Sequence, residues 1–332
     1  MYKFLILTIL IMSACSTPPA SKSYKTIGSI TRMDPELDSL IQPNATIEII
    51  AEGYDWTEGP LWLENEKALL FSDIPPNKIF KWTEKKGAEL YLTPSGYTGS
   101  VPRGGEPGSN ALILNKDGQL VLCQHGDRRM ALMDADLNAP AAKFITLTDN
   151  YKGKKLNSPN DAIFRSNGDL LFTDPPYGLE GNDKDPAKEL AFQGVFKLSN
   201  GELTLLTDSI TRPNGLAFMK NETRLIVANS DPDKAIWYLF DVSPGGLLVN
   251  QRVFYDATPE TTGKKGLPDG LKVDKKDNLF ATGPGGVYIF NAAGKQIGKI
   301  EVPEACSNIA FGDDERTLFI TADMYVLRVK MR

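Results

Sequence analysis

Six oxygen-bearing side chains recur at one position of a repeated pattern: Glu58, Asn110, Asn160, Asn214, Asp269 and Asn308 each head a short apolar run. Two are carboxylates, four are carboxamides and none is apolar. Gathered on one axis they would make the ligand set a calcium ion prefers, hard oxygens with water completing a shell of roughly six to eight. A local reading stands beside this one. Asn and Asp are common turn residues, and Gly follows both Asn214 and Asp269, so the column could record only how the chain enters each strand. Glu58 argues for convergence, because Glu is no turn former and Gly59-Pro60 follows it as a tight entry requires.

Convergence needs elements that are copies of one another. The segments 58–73, 110–124, 160–174, 214–229, 269–283 and 308–322 share one grammar: a polar residue, a short apolar strand, a polar turn such as Lys116-Asp117-Gly118, and a second apolar strand. That is a hairpin signature. A third strand follows each time, at 78–82, 129–133, 195–198, 236–240, 287–290 and 325–329. Five units show a fourth, as at 89–93 and 143–147, but the sixth ends at Arg332 without one, while Thr46 to Ile50 precedes the first unit unpaired. Pairing that early strand with the last unit closes a ring and removes an open edge. The repeat, roughly 40 to 55 residues long, therefore predicts an all-β fold: a six-bladed β-propeller of four antiparallel strands per blade, one domain over 45–332. The rival is an array of two-sheet sandwiches, which six matched units do not favour.

Composition narrows the chemistry. One His and three Cys in 332 residues cannot build a three-His zinc site, an H-E-x-x-H helix or paired C-x-x-C ligands, so a metal here would be held by oxygens. With 37 Lys+Arg against 42 Asp+Glu, a net charge of -5 and no basic block, nucleic acid is not an expected partner. Neither G-x-G-x-x-G nor a P-loop stands between a strand and a helix, and no G-x-S-x-G elbow offers a serine nucleophile. A propeller closes on itself, so a monomer is the default.

The first residues read as an address. Lys3, the apolar run Phe4 to Met12 and Ser13-Ala14 form a signal peptide over 1–14, too short to span a bilayer. Met12-Ser13-Ala14-Cys15 resembles the lipobox of bacterial lipoproteins, which implies acylation of Cys15, a membrane partner through that lipid, and a cell-envelope location facing the periplasm. The Ser-, Thr-, Pro- and Lys-rich stretch up to 44 reads as a flexible tether. Cys123 and Cys306, in strand-like contexts on distant blades, are expected as buried free thiols.

Trp56-Thr57-Glu58-Gly59-Pro60, Ser158-Pro159-Asn160-Asp161, Arg212-Pro213-Asn214-Gly215 and Leu267-Pro268-Asp269-Gly270 each open an inner strand, in that order. In these residues the chain resembles the senescence marker protein (regucalcin)/gluconolactonase family, over nearly everything from Ala45 to Arg332. The resemblance implies metal-dependent lactone hydrolysis on a six-bladed propeller. It makes Glu58, Asn214 and Asp269 ligands of Ca²⁺, or of another divalent cation such as Zn²⁺, Mn²⁺ or Mg²⁺. Asn160 then borders the metal and, with Asp161, faces the substrate, and Asn110 is assigned to the substrate as well. The segment Gly104 to Asn110 and the run Cys123 to Arg128 resemble the bacterial gluconolactonase-like branch. His125 could there orient substrate or shuttle a proton, or be a satisfied structural residue. Arg128 and Arg129 could hold a product carboxylate or simply be solvated. Ser158 stands where animal-type members carry Arg, which bears on aldonolactone specificity. The loops 94–108 and 175–190 would rise near the pocket.

The reaction expected on this reading is hydrolysis of a sugar-derived lactone, with its carbonyl polarised by the cation and water attacking. Asp269, Asp161 or His125 would take the proton, and the residues do not separate the three. Two alternatives stay open: a phosphotriesterase-like hydrolysis at the same ring, and a non-catalytic surface-binding propeller in which the cation ties the blades together.

Overall fold

The computed structural model describes residues 23–332. Six antiparallel sheets stand as blades around an axis, with inner strands Thr57–Leu63, Ser109–Leu114, Ala162–Phe164, Pro213–Met219, Leu271–Val273 and Cys306–Gly312 defining blades 1 to 6. Blades 1 to 4 are each four consecutive strands. Blade 6 takes its fourth strand, Ile47–Glu52, from the other end of the chain, antiparallel to Tyr325–Lys330. This is the expected closure.

The second strand of every blade is buried on both sides, which explains its unbroken apolar spelling. In Ala68–Asp73 all six residues are buried, and alternate side chains enter opposite gaps. Leu69 and Phe71 pack with Phe319 and Val326 of blade 6, while Leu70 packs with Leu112 and Leu122 of blade 2. The same alternation runs around the ring, and each gap between neighbouring blades holds its own apolar cluster. Outer strands lack a second neighbour and turn polar; the five residues from Val249 to Val253 in Leu248–Asp256 are exposed.

The stretch expected to be a tether up to 44 is built into the propeller over its described part. Ser29–Arg32 pairs with Gln296–Glu301 as a fifth strand on blade 5. The turn Pro35–Ser39, capped by Asp34 through its side chain accepting from Glu36 N at 2.8 Å, drops Leu37 into the gap between blades 5 and 6 beside Ile41. Composition read this segment as linker because its Ser, Thr and Pro are abundant, but Ile27, Ile30, Leu37, Leu40 and Ile41 cover an edge that would otherwise be open. Leu37 is fully buried, so Leu37→Ala should cost on the order of 3 kcal/mol in denaturant unfolding; a loss below about 0.5 kcal/mol would mean that the segment detaches in solution. The expected signal peptide over 1–14 and the expected acylation of Cys15 fall outside the described residues. Among those described, no helix is long and apolar enough to cross a membrane, and Cys123 and Cys306 are buried and free.

Candidate active site

At one end of the axis the inner strands begin irregularly. Register shifts fall between Glu58 and Leu61, Ser109 and Leu112, Pro213 and Leu216, and Cys306 and Asn308. Bulges of this kind re-aim a side chain that regular pleating would send into a blade gap. The glycines after the column residues answer to crowding at the axis. A Cβ on Gly59 would lie 2.2 Å from Asn110 O, and one on Gly215 would lie 2.3 Å from Asp269 O. Gly59 and Gly215 therefore mark close approach of the next blade's backbone, and Gly270 close approach of the Asn308 side chain, whose Cγ would lie 2.0 Å from a Cβ there.

Five of the six column residues, Glu58, Asn110, Asn160, Asn214 and Asp269, line one cavity of about 590 Å³. The sixth, Asn308, lies outside its walls and braces Glu58: its Nδ2 donates to Glu58 Oε2 at 3.3 Å, and its Oδ1 accepts from Lys272 Nζ at 3.3 Å. Gly59 N also donates to Glu58 Oε2, at 2.7 Å. Asn214 spends its Nδ2 on Ser230 Oγ at 2.9 Å, which leaves its oxygen for the cavity. Asn110 Oδ1 and Asp269 Oδ1 are shielded from solvent and accept from no donor.

This grouping is electrostatically uncomfortable. Burial pushes the Glu58 carboxyl up to about 8, with the Asp161 charge adding to it and the Gly59 and Asn308 donors opposing it. Asp269 is driven well above the carboxylate range by burial and then by the charges of Glu58, Asp161 and Glu106. Orphaned acceptor oxygens beside carboxylates that resist ionising fit a cation. Among the described residues no three His, Cys, Asp or Glu side chains gather as a ligand cluster, so a cation here would rest on Glu58 and Asp269 supplemented by the amide oxygens of Asn214 and Asn160.

Other expected residues stand elsewhere. Asp161 is buried but is not part of the cavity wall; its Oδ1 accepts from Ala162 N at 2.8 Å and its Oδ2 faces Lys272 Nζ at 3.9 Å. Asn160 and Asp161 together oppose Thr173, with Asn160 N donating to Thr173 O at 2.9 Å and Thr173 N donating to Asp161 O at 3.0 Å, and of the two only Asn160 lines the cavity. His125 is wholly buried behind the wall, its Nδ1 3.4 Å from Glu106 Oε2. Arg129 also lies outside the wall, its guanidinium held by Gln124 Oε1 at 2.6 Å, Thr146 Oγ1 at 2.9 Å and Asp127 Oδ2 at 2.9 Å. Arg128 pins backbone, donating to Leu156 O at 2.7 Å and Ala187 O at 2.9 Å. Ser158, which stands where animal-type members of the family carry Arg, anchors the 175–190 loop by donating to Pro175 O at 2.6 Å and accepting from Gly178 N at 2.9 Å.

The cavity wall also contains Trp56, Glu106, Tyr177, Arg212, Lys264 and Cys306, none singled out from the column. Glu106 and Tyr177 come from the two loops expected near the pocket. Arg103 clasps those loops together, donating to Gly126 O at 3.0 Å and to Gly178 O. Arg212 was visible inside Arg212-Pro213-Asn214-Gly215, one residue from a proline that cannot carry chemistry.

Fold and site together define a six-bladed propeller with an acidic, oxygen-lined axial cavity. Residues 56–323 match the family model described as the SMP-30/Gluconolactonase/LRE-like region, and the chain belongs to that family. It is 41% identical over 314 residues to a gluconolactonase of Zymomonas mobilis, covering 92% of this chain and 87% of the relative. It is 23% identical over 269 residues to a pentonolactonase of Haloferax volcanii, covering 80% of each. A solved gluconolactonase structure from Xanthomonas campestris aligns with a TM-score of 0.78 at 27% identity, covering 96% of this chain and 100% of that one.

Proposed function

We propose that the protein is a divalent-cation-dependent lactonase that opens a sugar-derived lactone in the axial cavity. The observation that carries this reading is the pairing of Glu58 and Asp269, two carboxylates raised by burial, with unpaired amide oxygens in a cavity of about 590 Å³. That volume lies within the range of small-molecule sites and leaves ample room for a sugar ring. The 41% identity to a gluconolactonase over 92% of the chain supports the substrate class.

Glu58, Asp269, Asn214 and Asn160 would hold the cation, with Ca²⁺ as first choice for an all-oxygen set. When bound, a divalent cation supplies Lewis-acid polarisation of a carbonyl and stabilises developing negative charge. Asn110, whose side chain is part of the cavity wall, would border the substrate. Trp56, half-buried in the wall, offers a flat apolar face to a sugar ring. Arg212 and Lys264 are half-exposed cations of the cavity wall, each only loosely paired, to Asp183 at 3.6 Å and Glu260 at 3.6 Å. They favour the carboxylate that hydrolysis produces. A covalent route through the thiol in the wall is unattractive, because burial pushes Cys306 up to about 12 and keeps it protonated.

The test is turnover of a panel of aldonolactones and organophosphates by the purified protein, after chelation and after adding back Ca²⁺, Mg²⁺, Mn²⁺ or Zn²⁺. Chelator-sensitive lactone opening restored by a divalent ion is expected. Faster cleavage of a phosphotriester would move the substrate class, and a folded, cation-binding protein that turned over nothing would leave the binding propeller.

A further inference from the structure

Opening a lactone with water needs a group that takes a proton as the new C–O bond forms and returns one to the ring oxygen as the old bond breaks. Glu58 and Asp269 are the anions that would hold the cation, and a carboxylate so engaged is a weak base. Asp161 is turned to Lys272 outside the cavity wall. Glu106 is the remaining carboxylate of the wall, and its side chain is 37% exposed, so water and substrate can reach it.

The surroundings of Glu106 are built, not incidental. His125 is fully buried, yet neither ring nitrogen has a hydrogen-bond partner. A neutral imidazole still carries one N–H, and leaving it unpaired in the interior costs about 1–3 kcal/mol. The carboxylate facing it is Glu106, whose Oε2 lies 3.4 Å from Nδ1, a few tenths of an ångström beyond a normal hydrogen bond. The imidazole is held in place from both loops. His125 N donates to Gly108 O at 3.2 Å and Gly126 N to Pro107 O at 3.2 Å, tying it to the segment just after Glu106. On its other side a Cβ at Gly178 would come within 2.7 Å of His125 Cβ.

We propose that Glu106 is the proton-transfer residue of this cavity and that His125 is its positioning residue, an inference that rests on the lactonase reading above. The water oxygen bonds to the carbonyl carbon and its proton passes to the Glu106 carboxylate. The ring C–O bond then breaks, the same proton goes to the departing ring oxygen, and the hydroxy acid leaves with Glu106 an anion again. His125 donates Nδ1–H to Oε2 and so leaves Oε1 to face the water.

The experiment uses the full chain with Ca²⁺ and glucono-1,5-lactone. Glu106→Gln should lower kcat by about 10²- to 10⁴-fold, with KM and calorimetric Ca²⁺ affinity within about threefold of the parent, and formate should restore part of the rate to Glu106→Ala. His125→Leu should lose about 10- to 100-fold in kcat. His125→Asn, whose amide N–H can stand where Nδ1–H stood, should recover most of it, and neither His125 change should matter further in the Glu106→Gln background. A Glu106→Gln enzyme with parental kcat overturns the proposal. A His125→Leu loss as large in Glu106→Gln as in the parent overturns the positioning role. If the parent opens no lactone, it is the underlying lactonase reading that falls.

Discussion

Glu58→Gln is expected to lower kcat/KM for lactone opening by about a thousandfold or more, on the scale of losing a principal electrostatic stabiliser, while raising the melting temperature of the cation-free protein. Gln has nearly the same shape and keeps an oxygen to accept from Gly59 N, so the bulge at the head of blade 1 should survive. What disappears is a charge that burial, together with Asp161, makes expensive to ionise. Without a cation that charge is a liability, and with one it is a ligand. Activity and cation-free stability should therefore move in opposite directions. A purely structural role for Glu58 predicts that both fall together. Steady-state kinetics, calorimetric Ca²⁺ titration and melting in chelator separate the cases. Unchanged Ca²⁺ affinity in Glu58→Gln would remove this residue from the cation site.

The ring was readable in the sequence for a specific reason. In a propeller, equal position in the repeat becomes equal height on the axis, so a column of letters becomes a circle of side chains. That translation holds for the five column residues that line the cavity and places Asn308 next to them as a brace. It fails for whatever arrives on loops, whose course the repeat does not dictate. Glu106 and Tyr177 belong to this second set, reached from 94–108 and 175–190 and fixed by the Arg103 clasp. Lys264 likewise comes from the stretch before the inner strand of blade 5.

Where the reading and the structure part, the cause is local geometry. The resemblance paired Asn160 with Asp161 at the substrate, yet only Asn160 lines the cavity, while Asp161 Oδ1 accepts from Ala162 N at 2.8 Å and its Oδ2 lies 3.9 Å from Lys272 Nζ. His125 and Arg129 lie near the rim in sequence terms, but the first is turned into the wall and the second is occupied by Gln124, Thr146 and Asp127. The stretch up to 44 was judged by its abundant polar residues, whereas the few apolar ones in its described part decide its packing. Leu37 and Ile41 fill a gap and Ile30 lies on a short edge strand.

The cation-free protein should lose stability as pH rises from 5.5 to 8. Glu58 holds its proton to about 8 when folded and releases it near 4.5 when unfolded, so between these values the native state binds more protons than the unfolded one. Stability then falls with rising pH across the window and levels above it. Asp269, also raised, adds to the same slope, as does Asp174, lifted by burial to about 7. At about 1.4 kcal/mol per unit the Glu58 contribution alone amounts to a few kcal/mol, or on the order of 5 °C in Tm for a domain of this size. Lys299, lowered to about 8 by burial, acts with the opposite sign only above that pH, where the unfolded chain still holds its proton, so the test belongs below 8. Saturating Ca²⁺ should flatten or invert the trend, because the cation displaces protons from its carboxylate ligands and binds more tightly as pH rises. Glu58→Gln in chelator should retain only the smaller slope due to Asp269 and Asp174. Parallel Tm curves with and without Ca²⁺ would mean that any cation this protein binds sits away from the Glu58 and Asp269 pair, and the ring would have to be explained by packing alone.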